Sequence, residues 1–135
     1  MAGIYVGEGM VIHFLGAGKE FKPSSSTTCE KCGYNSEKDI GVVKTCLNCF
    51  LCGHGFYICD YNHSSQVAKP PNEVVETANV LFKNNKFGEY SLTNNNCEHF
   101  AVYCKTGKAL SMQIVFGGVM DRFAPWIIRR SWLHN

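Results

Sequence analysis

Residues 94–107 of this chain read NNNCEHFAVYCKTG and predict an α-helix with a cysteine in its first turn. Asn96 is suited to cap the helix start, Glu98 suits the positive end of the helix dipole, and Gly107 suits the position just past the last turn. Backbone N–H groups and the dipole at a helix start favour the thiolate form of a cysteine. The sequence therefore offers Cys97 as a nucleophile. The competing interpretation is a small buried hydrophobic residue.

The histidine of the same helix has a different predicted role. At 100° per residue, His99 lies about 200° from Cys97 around the helix axis. Its side chain therefore points away from the thiol, and we expect it to pack or to cap the helix.

Residues 3–13 read GIYVGEGMVIH and predict a β-hairpin. Two apolar or β-branched runs flank a Gly7-Glu8-Gly9 turn. His13 lies near the end of the second strand. A histidine in that position is usually structural, so the hairpin alone assigns it no chemistry.

The segment 28–53 contains two C-x-x-C pairs separated by thirteen residues. This spacing fits a tetrahedral zinc site with four thiolate ligands, and a redox pair would need only one C-x-x-C. The first pair is Cys29 and Cys32. The second is either Cys46 with Cys49 or Cys49 with Cys52, and the spacing leaves both open.

A site with four thiolates has no open coordination position, so the predicted zinc is structural rather than catalytic. The same segment carries three lysines and three acidic residues. Because this balance is neutral, it argues against a zinc ribbon that binds nucleic acid.

The remaining elements follow from composition. Residues 56–61 have strand composition and should join the sheet of the hairpin. After Pro70 and Pro71, apolar residues recur at helical spacing from Asn72 to about residue 84.

The tail 109–135 mixes apolar, aromatic and arginine residues. This pattern is typical of a membrane-interface segment, and packing back onto the domain explains it equally well.

Composition limits the function classes. The chain has 135 residues, 45% of them hydrophobic, which is enough for one small domain with a modest core. A net charge of +2 is too weak to indicate nucleic acid as a partner. Eight cysteines without a secretory signal point to metal binding or catalysis in a reducing compartment, and we expect a cytoplasmic protein.

Three stretches together resemble the lecithin:retinol acyltransferase domain family, most closely its plant members. They are residues 3–13, residues 90–92 (YSL) and residues 95–100 (NNCEHF). The resemblance covers residues 1 to about 108 and implies a circularly permuted papain-like fold. It also implies Cys97 as nucleophile, His13 as the group that orients the catalytic base, and Cys46 with Cys49 as the second cysteine pair.

One position departs from the family pattern. The resemblance places the general-base histidine twelve positions before His13, where this chain has Met1. Two explanations compete. The chain is truncated at its start, which we favour because little structure precedes the hairpin, or it is a degenerate member. In either form, catalysis should be impaired.

From these observations we expect an α+β fold, in which a small antiparallel sheet packs on two helices and a zinc-knuckle insert (28–53) interrupts the domain 1–108. The site comprises Cys97 and His13, with Cys29, Cys32, Cys46 and Cys49 binding structural Zn²⁺. The resemblance implies acyl transfer or hydrolysis of lipid esters through a thioester, with peripheral membrane contact through the tail 109–135. A zinc-stabilised scaffold without activity and a peptidase or amidase are the alternatives.

Overall fold

A computed structural model of the protein describes residues 2–16, 28–53, 55–59, 69–91, 93–107 and 127–130, with only the backbone described for 56–59 and 127–130. Its strands form one antiparallel sheet in the order β3-β2-β1-β5-β4. The strands are β1 (Ala2–Gly7), β2 (Met10–Leu15), β3 (Gly41–Cys46), β4 (Phe56–Cys59) and β5 (Ile127–Arg130). The helices are α1 (Leu47–Leu51), α2 (Pro71–Asn84) and α3 (Cys97–Thr106). The predicted α+β class and the antiparallel sheet are confirmed.

The first two strands form the predicted hairpin. Its turn places Glu8 at φ 54° and Gly9 at φ 73°. Positive φ at both central residues is the backbone of the tight turn whose twist matches that of paired strands. The hairpin register sets Gly3 opposite His13.

Part of the segment 28–53 belongs to the sheet. Its residues 41–46 form β3, which pairs with β2 along the whole length of both strands. The reason is local composition, because Val42, Val43 and Thr45 are β-branched residues that favour strands. The chain then turns directly into α1, a helix of five residues that the sequence analysis did not predict.

The two faces of the sheet are buried under different elements. One face packs Ile4, Ile12 and Phe14 against buried residues of α2 and α3, as expected for a sheet on two helices. On the other face, Val11 and Val43 pack against Phe50 of α1. The start of α3 reaches this second face, since Cys97 belongs to the same buried cluster.

Helix α2 lies close to its predicted position. It begins with Pro71 in its first turn and ends at Asn84, followed by Asn85 in the left-handed conformation at φ 48°. The Asn85 side chain accepts a hydrogen bond from the Val42 N–H at 2.9 Å. This contact ties the end of α2 to β3.

Four residues of the tail also belong to the sheet. Strand β5 lies between β1 and β4, so β4, the described part of the predicted strand 56–61, joins the hairpin through β5. The backbone of residues 127–130 therefore packs onto the domain, which is one of the two interpretations given for the tail. The rest of the tail lies outside the described residues. Within the described part of the chain, no helix is long and apolar enough to cross a membrane.

Candidate active site and cysteine cluster

Helix α3 begins with a reciprocal cap, as predicted for Asn96. The Asn96 Oδ1 accepts the backbone N–H groups of Glu98 and His99 at 2.9 and 3.2 Å. In return, the Asn96 N–H donates to the Nδ1 of His99 at 3.2 Å. His99 thus takes the place that Glu or Gln holds in the usual capping box. This agrees with the capping role expected for it.

The cap takes up N–H groups of the first turn that we expected to face the Cys97 sulfur. We expected N–H groups of the first turn to serve the sulfur, but Asn96 accepts those of Glu98 and His99. The sulfur instead receives a hydrogen bond from another element: the Ala2 N–H of β1 donates to the Cys97 Sγ at 3.4 Å. The thiol is nearly buried, with 7% of the residue exposed. The nucleophile candidate is therefore fixed between a helix start and the first strand.

His13 is buried on the second face of the sheet. Its Nε2 lies 3.0 Å from the Oγ1 of Thr45 on the neighbouring strand. Its ring also meets the ring of Phe50 edge-on, with centroids 5.0 Å apart and planes at 78°. Thr45 and Phe50 together restrain the imidazole in position and in rotation.

Gly3 makes room for this arrangement. A Cβ at this position would lie 2.7 Å from the Val11 Cγ1 and 3.1 Å from both the His13 Cβ and the Phe50 Cε1. Contacts this short force neighbouring atoms to move. The glycine therefore lets Phe50 and His13 approach β1 closely.

Phe50 belongs to the buried surroundings of both predicted site residues. Its ring contacts His13, and it shares one buried cluster with Cys97. The structure thus places Cys97 in the buried cluster whose Phe50 contacts His13. Met1, where the resemblance expects the base, lies outside the described residues.

The cap of α3 predicts a pH-dependent stability. Burial lowers the pKa of His99 below its usual range. A histidine with a depressed folded-state pKa stabilises the fold above about pH 6.5, its unfolded value, and this contribution is lost as the pH falls through the folded pKa. Replacing His99→Gln keeps a capping side chain but removes the titration. We expect the melting temperature of the wild type to fall more steeply between pH 7 and pH 5 than that of the variant.

The control for this measurement is His99→Ala, which removes both the cap and the titration. At pH 7.5 it should cost about 0.5–2 kcal/mol of unfolding free energy, whereas the glutamine variant should stay close to wild type. Parallel melting profiles of wild type and His99→Gln across the acid range would contradict this account.

Four cysteines of the segment 28–53 converge at the junction of β3 and α1. The sulfurs of Cys29 and Cys46 lie 4.0 Å apart, and those of Cys32 and Cys49 lie 3.8 Å apart. All four sulfurs lie within 4.8 Å of one another. Four thiolates around one Zn²⁺ at about 2.3 Å would be separated by about 3.8 Å, so the cluster has the spacing of such a site.

The fifth cysteine of the segment lies outside this cluster. Cys52 ends α1 in the left-handed conformation, and its thiol donates to the carbonyl oxygen of Cys49 at 3.2 Å. The structure therefore groups Cys46, rather than Cys52, with the other three cysteines. This proximity favours the pair Cys46 and Cys49 as the second half of the cluster.

The electrostatics of the first cysteine also suit a metal ligand. Hydrogen bonds from the backbone N–H groups of Cys32 and Lys31 lower the pKa of Cys29 to about 6. Such N–H groups stabilise a thiolate in a tight turn. Burial has the opposite effect deeper in the cluster, where it raises the pKa of Cys49 in the absence of a cation. A bound cation would offset this cost.

Sequence reasoning missed three of the groups that build the site. Thr45 and Phe50 flank the cysteine pair Cys46/Cys49, and Ala2 contributes only its backbone N–H. The sequence could have indicated Thr45, because residues 43 and 45 of a strand lie on the same face. In this sheet that is the face of His13. Nothing in the local pattern marks Phe50 or Ala2.

The geometry defines a class of protein: a small α+β domain with a thiol at a helix start, a buried histidine on the adjacent sheet, and a separate cysteine cluster. The family model named Lecithin retinol acyltransferase matches residues 2–110. The chain therefore belongs to the lecithin retinol acyltransferase family, which confirms the resemblance seen in the sequence.

Two curated proteins illustrate the relationship. "Protein LEAD-SENSITIVE 1" of Arabidopsis thaliana is 38% identical over 132 residues, an alignment that covers 77% of this chain and 50% of that protein. "Phospholipase A and acyltransferase 2" of Homo sapiens is 30% identical over 112 residues, covering 82% of this chain and 65% of that protein. The chain thus spans only half to about two thirds of these relatives. No solved structure gave a significant match.

Proposed function

We propose that this chain is a thiol-dependent acyl-transfer domain acting on lipid esters, with Cys97 as nucleophile and His13 as the residue that orients the base. The observation that carries the proposal is the buried, hydrogen-bonded environment of the Cys97 Sγ. It accepts the Ala2 N–H at 3.4 Å and belongs to the cluster of Phe50, whose ring contacts His13. A family relative named for phospholipase A and acyltransferase activity supports the substrate class.

The proposed reaction has two steps. The Cys97 thiolate attacks the ester carbonyl carbon, the carbon–oxygen bond to the alcohol breaks, and the acyl group remains as a thioester while the alcohol takes up a proton. Water then cleaves the thioester to a fatty acid, or an alcohol or amine accepts the acyl group. The proton transfers need a general base, and Met1 cannot supply one. The activity of this sequence should therefore be impaired.

The family relationship also supports the permuted papain-like topology as part of the proposal. In this chain the histidine strand β2 precedes the cysteine helix α3, in the order that this topology requires. Lipid esters reside in bilayers, so the proposal includes contact with a membrane surface.

We further propose that Cys29, Cys32, Cys46 and Cys49 bind one structural Zn²⁺. The spacing of the sulfurs fits a tetrahedral thiolate site, and such a metal would supply folding energy rather than chemistry.

A zinc-stabilised scaffold without activity is the second candidate. The methionine at position 1 and the 7% exposure of Cys97 favour it.

An activated ester tests the nucleophile separately from the missing base. The p-nitrophenolate group leaves without a proton and the buffer takes up the proton of the Cys97 thiol, so p-nitrophenyl butyrate should acylate Cys97 even in this sequence. We expect a burst of about one p-nitrophenolate per chain and a butyryl adduct on Cys97 by mass spectrometry. Cys97→Ala should abolish both signals.

Cys104→Ala is the matched control, because Cys104 lies on the same helix and is fully buried. Burial also raises the pKa of Cys104, which disfavours its thiolate. This variant should retain the burst. A burst that survives Cys97→Ala, or an adduct found only on other cysteines, would refute Cys97 as the nucleophile.

A further inference from the structure

The buried hydroxyl of Thr45 lies between His13 and the cysteine cluster. Thr45 is fully buried, and its Oγ1 donates to the carbonyl oxygen of Cys46 at 3.2 Å. The same oxygen lies 3.0 Å from the Nε2 of His13. A hydroxyl has one proton to donate. Because that proton is directed to Cys46, the Oγ1 must act as the acceptor toward His13.

We propose that Thr45 is a positioning residue that holds His13 in the tautomer with its proton on Nε2, through a hydroxyl whose direction is fixed by the Cys46 carbonyl. This inference rests on the proposed function of His13, and it concerns a residue outside the three stretches on which the family resemblance was recognised. A neutral imidazole with a proton on Nε2 has Nδ1 as its acceptor. In a variant that carries a histidine base, His13 can then accept an N–H from that base and set its orientation.

The Cys46 carbonyl is a suitable anchor for the hydroxyl. Cys46 is the last residue of β3 and the N-cap residue of α1, and its own sulfur belongs to the cysteine cluster. The residue is thus held by the sheet, the helix and the cluster at once. The edge-on contact with Phe50 fixes the plane of the His13 ring, and Thr45 then determines which nitrogen carries the proton.

The test is the tautomer of His13, read from ¹⁵N chemical shifts of the imidazole in the full chain labelled with ¹⁵N-histidine. The spectra are recorded near pH 8, well above the ordinary histidine pKa of about 6.5, and a His13→Asn variant assigns the signals. We expect a single Nε2–H pattern for His13 in the wild type and in Thr45→Ser, which keeps the hydroxyl. Thr45→Val, which removes the hydroxyl at nearly constant shape, should shift the tautomer ratio by about 2- to 10-fold.

An Nδ1–H or mixed pattern for His13 in the wild type would overturn the proposal without any variant. So would a Thr45→Val variant that folds and keeps the wild-type pattern. The burst with p-nitrophenyl butyrate is measured on the same samples and reports on the nucleophile alone. A wild type that shows the Nε2–H pattern but no Cys97 adduct would uphold the positioning role and reject the proposed function.

Discussion

A histidine at position 1 should raise the rate of Cys97 acylation by lipid esters about 10²–10⁴-fold, the usual contribution of a general base. The variant carries a short Gly-Ser leader with its own start methionine, followed by Met1→His. The Ala2 amide nitrogen lies 3.4 Å from the Cys97 Sγ, and residue 1 is bonded to that nitrogen. A side chain at position 1 therefore starts only a few covalent bonds from the atom that contacts the thiol.

The measurement is kcat/KM for a phosphatidylcholine ester, together with the acyl thioester on Cys97 by mass spectrometry. The matched control carries the same leader with Met1 retained and should stay at the low rate. In the histidine variant, Cys97→Ala and His13→Ala should each remove the gain.

Two results would contradict this prediction in different ways. A leader-bearing control that is as fast as the histidine variant would show that the base is not at position 1. A histidine variant that folds and binds metal yet forms no thioester would favour the scaffold candidate.

Removal of the proposed zinc should unfold the segment 28–53. Protein purified without chelators should contain about one zinc per chain, and a strong chelator or Cys32→Ser should abolish both the metal and the protection of the β3 amides from hydrogen exchange. Structural zinc contributes about 10–16 kcal/mol in small zinc modules, which exceeds the stability of most single domains. Helix α1 has only five residues and no side-chain cap at its start, so it should melt with the cluster.

Cys52→Ser provides the control in the same segment, since Cys52 lies outside the cluster and its thiol donates a hydrogen bond to the carbonyl oxygen of Cys49. It should keep the metal content and the hydrogen-exchange protection. Replacing zinc with Co²⁺ should give the visible absorption of a tetrahedral thiolate site in the wild type and in Cys52→Ser, but not in Cys32→Ser. Loss of metal in Cys52→Ser with retention in Cys46→Ser would show that the second ligand pair was wrongly chosen.

The parts of the fold that could be predicted from sequence are those specified by neighbouring residues. The turn between β1 and β2, the Asn96 cap and the limits of α2 all follow from short patterns that need no partner. The convergence of the four cysteines was also predictable, because C-x-x-C pairs encode a chelating turn. Family resemblance supplied the role of His13, which a lone strand histidine does not reveal.

The parts that could not be predicted depend on partners that are distant in the sequence. Helix α1 is too short to show a helical period, so the contact of Phe50 with His13 was invisible before the structure. The Ala2 N–H belongs to the backbone and has no residue signature. One of the two neighbours of strand β5 is β1, at the opposite end of the described chain, and no local pattern in an arginine-rich apolar run specifies β1 as its partner.

The position of β5 has a consequence for the order in which this domain forms. During synthesis, β1 emerges early and β5 emerges last among the described strands, yet Ala2 and Arg129 are direct partners in the finished sheet. Pairing across such a long separation is slow, because the loop entropy must be lost before the contact forms. Until then β1 has a free edge, and the strand whose amide contacts the Cys97 sulfur lacks one of its two neighbours. We therefore expect β1, whose Ala2 amide contacts the Cys97 sulfur, to gain its second neighbour only after β5, the last of the described strands, has left the ribosome.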